Sequence, residues 1–229
     1  MKQNESIQFS PSLMCMDLLN AKEQILILNA NFTSLHIDIM DGHFCDSIHL
    51  SPSFVKAVRG ITDLSIEVHL MVEHPEKLIP SLIEFGADVI VLHIESITTR
   101  AFRLVNEIQR NGKKAGIALC PITPLSTIKD VLCSIDMLTI LTVDVGYAGQ
   151  PLITSVLHKF EVAKLLKQKH NYNYVIQCDG GVKSSTYKQL CVLGAENLVL
   201  GDTALFCKHI DLNMACKIMR EEFVAALNG

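Results

Sequence analysis

Four side chains that bind metal ions or transfer protons fall within, or at the end of, short β-branched runs of the sequence. They are His36, Asp38, His69 and Asp179. Two imidazoles and two carboxylates form a donor set for a divalent metal ion, and carboxylates also act as general acids and bases. Because a buried charge is unfavourable unless it is paired or bound to an ion, a metal ion would compensate this set. A lone core histidine or strand-end aspartate is more often structural, so the interpretation requires that the four side chains meet.

The alternation of residue types indicates which of these side chains share a face. In 34–40 and 64–71, every second residue is aliphatic and the polar candidates lie between them. His36 and Asp38 therefore share one face of the first run, and His69 shares one face of the second run with Met71.

Eight β-branched runs alternate with amphipathic stretches along the whole chain. The predicted strands are 7–13, 34–40, 64–71, 88–94, 115–120, 137–144, 174–179 and 197–201. Asp17 is expected to cap a helix over 18–30, and Gly86 and Gly194 are expected to end helices. Eight strand–helix units predict an α/β fold, a (β/α)8 TIM barrel that forms one domain over 1–229, with an open doubly wound sheet as the alternative. In a barrel the polar faces point inward and the carboxyl ends of the strands build the active site.

Glycine-containing loops follow three of the last predicted strands. They contain Gly146, Tyr147, Ala148 and Gly149 after the sixth, Gly180 and Gly181 after the seventh, and Gly201 and Asp202 after the eighth. Backbone N–H groups in such loops approach anions closely, and the last loops of barrels commonly bind phosphate. Each loop alone is only a turn signal, but together they predict an anion site.

Composition restricts the classes of partner. The 229 residues are 49% hydrophobic and 19% charged, with a formal net charge of −4, so we expect a globular protein that binds neither nucleic acid nor membrane. The polar start lacks an apolar leader, which favours a cytoplasmic protein, and the eight cysteines have no paired spacing and are expected to be reduced thiols. Solvent exposure is the default expectation for His93 and for the lysines.

Five motifs resemble the ribulose-phosphate 3-epimerase family. They are Ser10–Met14, His36–Phe44, Val68–Val72, Gly146–Gln150 and Cys178–Gly181. Within the family, four further stretches are most similar to the D-allulose-6-phosphate 3-epimerase branch: Ser10–Leu19, Leu50–Pro52, Ala101–Leu104 and Ala148–Pro151. The resemblance implies a homo-oligomeric enzyme that inverts C3 of a phosphorylated ketose.

The resemblance also implies roles for individual residues. One divalent metal ion, with zinc expected and manganese, cobalt or iron as alternatives, would be held by His36, Asp38, His69 and Asp179. The two aspartates come from opposite sides of the predicted barrel and would act as the two acid–base catalysts. Substrate contacts are expected from Ser12, His69 and the three glycine loops, and the site would be lined by Met40, Met71 and Leu141.

Some positions depart from the family pattern, and other functions stay open. Asp202 stands where a small hydroxyl residue is usual, and a carboxylate there would repel a phosphate dianion. The segment 45–47 and Val145 also differ. The alternatives are a ribulose-5-phosphate 3-epimerase, a phosphosugar lyase, which the absence of an Asp-x-Lys-x-x-Asp run in 36–41 disfavours, and a noncatalytic sugar-phosphate sensor.

Overall fold

Nine strands and eight α-helices follow one another along the chain in a computed structural model that describes residues 7–206 and 211–228. The strands are Gln8–Pro11 (β1), Ser34–Asp41 (β2), Ile48–His49 (β3), Ser65–Met71 (β4), Val89–His93 (β5), Lys114–Leu119 (β6), Met137–Leu141 (β7), Val175–Asp179 (β8) and Asn197–Leu200 (β9). The helices are Ala21–Asn31 (α1), Pro52–Arg59 (α2), Ile79–Glu84 (α3), Ile94–Ile97 (α4), Ala101–Arg110 (α5), His158–His170 (α6), Tyr187–Leu193 (α7) and Leu212–Asn228 (α8).

The sheet closes on itself, which confirms the barrel and excludes the open doubly wound sheet. Its order is β1-β9-β8-β7-β6-β5-β4-β2-β3, and every pair is parallel except β2 with the short β3. The two ends meet through a parallel bridge between Ser12 and His36. Eight parallel strands, each followed by helical segments, make the (β/α)8 barrel that the alternation predicted.

The alternating pattern of the strands sorts side chains between the barrel interior and the helix layer. Leu35, Ile37 and Ile39 of β2 are buried in the large apolar core that also contains the inner faces of the helices. A smaller apolar cluster around Val91 and Leu141 fills part of the barrel interior. Other interior side chains are polar, among them His36, Glu67 and Gln177, which hydrogen-bond to one another.

Several predicted boundaries shift by a few residues. The predicted cap is confirmed, since the Asp17 carboxylate accepts a hydrogen bond from the Leu19 N–H, but the first turn is a 3-10 turn. The sixth predicted run, 137–144, ends as a strand at Leu141, because the chain turns away toward Gly146, whose φ is +121°. Gly194 ends α7 with a φ of +115°, a left-handed conformation that glycine adopts without strain.

Two expectations about exposure were wrong. His93 is fully buried, and Lys159 is only 4% exposed because its ammonium group donates to the carbonyls of Cys120, Pro121 and Thr123. The seven cysteines in the described ranges are free thiols, and Cys207 lies outside those ranges. Across residues 7–206 and 211–228, no helix is both long enough and apolar enough to cross a lipid bilayer.

Candidate functional site

Strands β2 and β4 place the candidate residues in successive layers of the barrel interior. Their register pairs His36 with Glu67, Asp38 with His69, and Met40 with Met71. These pairs step from the barrel centre toward the carboxyl ends of the strands. The alternation in the sequence predicted that the two imidazoles and the Asp38 carboxylate point into the barrel, and the structure shows this direction.

Asp179 at the end of β8 completes a four-residue cluster. One donor atom from each of His36, Asp38, His69 and Asp179 lies within 4.8 Å of the others. Asp38 Oδ1 lies 3.0 Å from His36 Nε2 and 3.1 Å from His69 Nδ1. Asp179 Oδ2 lies 3.3 Å from His69 Nδ1 and 3.9 Å from His36 Nε2. The structure thus brings together the set that the sequence singled out.

The donor atoms fit a divalent metal ion. Atoms bound to zinc at the usual bond lengths in a tetrahedron lie roughly 3.3 to 3.6 Å from one another, and the observed separations of 3.0 to 3.9 Å bracket this range. His36 Nδ1 lies 2.8 Å from Glu67 Oε1, so its proton is donated outward and Nε2 keeps a lone pair toward the cluster. In metal sites, a carboxylate commonly accepts the outward N–H proton of a histidine that binds the ion and so fixes its orientation.

Without an ion, protons must neutralise the same charges. Burial alone would lower the pKa of His36, but Asp38 and Glu67 outweigh it and raise the pKa well above its usual value. Burial also lowers the pKa of His69, but hydrogen bonds to Asp179 and Asp38 raise it to about 9. Burial would raise the pKa of Asp38, but the two histidines hold it well below its usual range. The centre therefore gathers negative charge that protons or a divalent ion can balance.

Ser12 orients the Asp38 carboxylate. The Ser12 hydroxyl donates to Asp38 Oδ2 over 2.6 Å, while the other oxygen of Asp38 faces the histidines. Both side chains are almost fully buried at the floor of a cavity that opens at the barrel mouth. A carboxylate fixed in this way is a suitable general base, because its direction is set before a substrate arrives.

The cavity above the cluster is lined by the predicted loop residues. Its walls include Ser12, Met40, Met71, Leu141, Gly146, Tyr147, Ala148, Gly149, Gly180, Gly181, Gly201 and Asp202, with Asp38 and Asp179 at its floor. His69 is fully buried beneath this surface and does not line the cavity. Among the described lining residues there are four aspartates and no lysine or arginine.

Glycine is required where two of these loops meet. Gly180 and Gly181 have φ values of +99° and +60°, which favour glycine. A Cβ atom on Gly180 would lie 2.4 Å from a methyl group of Val143, and one on Gly181 would lie 2.6 Å from Leu152 Cβ. The loop after β8 therefore packs directly on the loop after β7, which places its backbone at the cavity wall.

The departures from the family pattern cluster at the rim. Cys45 and Val145 pack with Met40 and Met71 in one small apolar cluster. Two of the altered positions therefore belong to the same cluster. Asp202 is half-buried and lies near Cys15, and burial followed by the Asp202 charge raises the pKa of Cys15 to about 12. The rim at Asp202 is therefore acidic where the resemblance implies an anion site.

Sequence reasoning missed three polar residues behind the cluster, of which Glu67 and His93 are buried and Glu95 is half-buried. Glu67 supports His36 and also accepts a hydrogen bond from the Gln177 amide at 2.8 Å. His93 lies behind His69, and Glu95 lies behind His93. The alternation in β4 and β5 that assigned His69 to the interior also assigns Glu67 and His93 to it, so the signal was present in the sequence.

The fold and this site define a (β/α)8-barrel enzyme with a candidate metal centre at the carboxyl ends of its strands. A family model for the ribulose-phosphate 3-epimerase family matches residues 8–206. The chain belongs to this family, which confirms the prediction of a carbohydrate epimerase.

Curated relatives agree with the family match. The ribulose-phosphate 3-epimerase of Bacillus subtilis (strain 168) is 36% identical over 85% of this chain and 90% of its own length. The chloroplastic ribulose-5-phosphate-3-epimerase of Arabidopsis thaliana is 36% identical over 87% of this chain and 72% of its own length. Among solved structures, 3-hexulose-6-phosphate synthase covers 96% of this chain and 100% of its own, with a TM-score of 0.71 at 17% identity. That similarity concerns the barrel fold alone.

Proposed function

We propose that the chain is a metal-dependent ketose-phosphate 3-epimerase that interconverts D-allulose 6-phosphate and D-fructose 6-phosphate by proton transfer between two aspartates. The observation that carries the proposal is the meeting of Asp38 and Asp179 with two histidines at the floor of one cavity. Inversion at a carbon beside a carbonyl requires that a proton leave one face and another arrive at the opposite face. Two carboxylates from separate strands meet this need.

His36, Asp38, His69 and Asp179 would hold the metal ion. Imidazole and carboxylate donors suit zinc, which we expect, and also manganese, cobalt or iron. When bound, the ion would act as a Lewis acid that stabilises negative charge developing at the substrate carbonyl.

The two aspartates have distinct surroundings. Asp38 is held as a carboxylate by the histidines and is aimed by Ser12, so it is ready to remove the C3 proton of one epimer. Asp179 is more accessible, with a side chain 20% exposed, and lies at the end of β8. In the reverse direction the two exchange roles as acid and base.

Backbone N–H groups of the three glycine loops would bind the phosphate, since no described lining residue is a lysine or arginine. We assign substrate contacts to Ser12 and His69, to the loops at Gly146, Tyr147, Ala148 and Gly149, at Gly180 and Gly181, and at Gly201 and Asp202. We assign apolar contacts to Met40, Met71 and Leu141. Of these, His69 would act from beneath the cavity surface.

A five-carbon substrate is the second candidate. The curated relatives at 33 to 36% identity carry the name ribulose-phosphate 3-epimerase, which favours the interconversion of D-ribulose 5-phosphate and D-xylulose 5-phosphate. The motifs at 10–19 and 148–151 favour the six-carbon sugar. The two reactions share the same chemistry, so the geometry of the acid–base pair supports both.

Matched kinetic assays test the proposal. Metal-replete protein is incubated with D-allulose 6-phosphate and, separately, with D-ribulose 5-phosphate, and kcat/KM is compared after metal content has been measured. A higher value for the six-carbon sugar supports the proposal, and a higher value for the five-carbon sugar replaces it with the second candidate. Turnover of neither sugar by a metal-loaded protein would favour the noncatalytic sensor.

Three further expectations accompany this function. We expect one domain over 1–229, a homo-oligomer and a cytoplasmic location. Light scattering during size-exclusion chromatography tests the assembly, and a monomeric mass for active protein would refute it.

A further inference from the structure

A row of polar side chains runs from the candidate metal ligand His69 through His93 to Glu95 in α4. His93 ends this strand and is fully buried, with its Nε2 atom 2.9 Å from His69 Nε2. On its other side, His93 Nδ1 lies 3.0 Å from Glu95 Oε2. The two rings stack with centroids 5.0 Å apart and planes at 23°. The proposed chemistry uses neither His93 nor Glu95 directly, although His93 contacts the candidate ligand His69 and Glu95 contacts His93.

Glu95 is held as a carboxylate that only accepts hydrogen bonds. Its Oε1 atom accepts from the Cys120 N–H over 2.9 Å and from the Thr123 hydroxyl, which leaves Oε2 for His93. Burial alone would raise the pKa of Glu95, but the hydrogen bonds from His93 and Thr123 outweigh it and lower the pKa to about 2. His93 Nδ1 must therefore carry a proton and donate it to Glu95.

The positions of the remaining protons follow from this assignment. Two N–H groups cannot face each other across 2.9 Å, so only one of the facing Nε2 atoms of His69 and His93 carries a proton. If that proton were on His93, His69 would carry its own proton on Nδ1, the atom that faces Asp38 and Asp179. If it is on His69, the neutral imidazole of His69 keeps a free lone pair on Nδ1. Only this second arrangement allows His69 to bind a metal ion.

We propose that His93 and Glu95 are positioning residues that fix the tautomer of His69, so that its Nδ1 lone pair faces the metal position. Glu67 fixes the tautomer of His36 in the same way, but there Nε2 rather than Nδ1 faces the cluster. Each candidate imidazole ligand therefore has its own carboxylate behind it, one in direct contact and one through a second histidine. The proposal rests on the metal site of the proposed function.

The same residues do not favour a second metal ion. Donor atoms of His93, Glu95 and Cys120 also lie within 4.8 Å of one another. An ion there would need the Nδ1 lone pair of His93, which would move the His93 proton to Nε2 and disrupt the arrangement at His69. Burial, followed by the charge of Glu95, raises the pKa of Cys120 to about 12, so its thiol stays protonated. Hydrogen bonding explains this cluster better than metal binding does.

We call the hydrogen-bonded row of His69, His93 and Glu95 the relay. Substitution of Glu95 by glutamine tests it, because this change exchanges one oxygen for one NH2 group. The amide oxygen still accepts from the Cys120 N–H and the Thr123 hydroxyl, so the NH2 group faces His93 Nδ1. His93 must then accept at Nδ1 and donate from Nε2, which forces the proton of His69 onto Nδ1. We expect the Kd for zinc or cobalt, measured by chelator competition on metal-stripped protein, to rise about 10- to 100-fold.

Glu196→Gln is the matched control. Like Glu95, Glu196 accepts several hydrogen bonds: one from the Ile176 N–H and two from the Lys167 ammonium group. It lies at the amino end of β9, away from the candidate metal site. Its variant should bind metal like wild type. At His93, glutamine retains an acceptor and phenylalanine does not, so His93→Gln should bind metal more tightly than His93→Phe.

Nitrogen NMR of histidine-labelled, zinc-loaded protein reads the tautomers without any substitution. We expect a proton on Nε2 of His69 and on Nδ1 of His93 in wild type. A proton on His93 Nε2, or wild-type metal affinity in folded Glu95→Gln, would overturn the relay and leave the metal site intact. A wild-type protein whose zinc does not contact His36 and His69 would overturn both the relay and the metal site.

Discussion

Replacement of either Asp38 or Asp179 by asparagine separates the two halves of the proposed reaction. Asp38→Asn preserves the shape of a side chain that is only 3% exposed, and its amide oxygen can still accept the Ser12 hydroxyl proton. It removes the carboxylate that would take a proton from one epimer. Asp179→Asn does the same on the other face. Each variant should therefore keep one competent carboxylate in a folded barrel.

The expected loss follows from what a general base contributes. Loss of such a group lowers the rate by about 100- to 10,000-fold, and loss of a metal ligand adds to this. The Cys15 thiol on the described cavity wall is a poor substitute base, because burial and the nearby Asp202 raise its pKa to about 12. We expect kcat for epimerisation to fall at least 100-fold, or about 2.7 kcal/mol, in each variant at saturating metal.

Proton exchange with heavy water identifies which face each aspartate serves. With one aspartate left, the epimer whose C3 proton faces it should exchange that proton for deuterium without inversion, while the other epimer should not. The two variants should show opposite preferences, followed by NMR of each sugar in D2O. Turnover of Asp38→Asn within about tenfold of wild type would refute the two-base mechanism, since it falls short of the loss expected for a base. Identical exchange preferences in the two variants would refute it as well.

Three other measurements probe the surroundings of the site. Because the pKa values of His36 and His69 are raised, protons compete with the metal ion for these side chains. We expect the apparent metal affinity to increase about tenfold per pH unit for each displaced proton between about pH 6 and 8. Calorimetry should detect the protons released on metal binding. Asp202→Ser removes a like charge near the phosphate position and should lower KM roughly three- to tenfold at unchanged kcat. Tyr174→Phe removes a buried hydrogen bond of 2.8 Å to the Ala163 carbonyl and should lower the free energy of unfolding by about 1 kcal/mol at unchanged kcat.

Strand periodicity predicted the barrel and most of the site because period two fixes which side chains point inward. His36, Asp38 and His69 could be assigned to the interior in this way, and the carboxyl ends of parallel strands brought Asp179 to them. The same alternation assigned His93 to the interior, but a histidine at a strand end is normally solvated, and this default expectation was wrong. Its partner Glu95 could not be identified from the pattern, because Glu95 reaches His93 only when α4 begins immediately after β5.

Loop geometry was less predictable, because it depends on contacts between segments far apart in the sequence. The strand predicted over 137–144 stops at Leu141, and the next residue, Thr142, instead donates its hydroxyl proton to the carbonyl of Gly180. This hydrogen bond joins the loops after β7 and β8 at the cavity wall. Nothing in the spacing of either segment specifies such a contact, whereas β-branched runs specify a strand locally.

The acidic cavity implies that metal and sugar phosphate bind cooperatively. Asp38, Asp144, Asp179 and Asp202 line it, and no described lining residue offers a cationic side chain to a phosphate dianion. A divalent ion would offset two of these charges, so the metal-free protein should bind fructose 6-phosphate at least about tenfold more weakly. By linkage, the sugar phosphate must tighten metal binding by the same factor, which paired calorimetric titrations measure. Equal affinity of the sugar phosphate for metal-free and metal-loaded protein would mean that the glycine loops alone determine its binding.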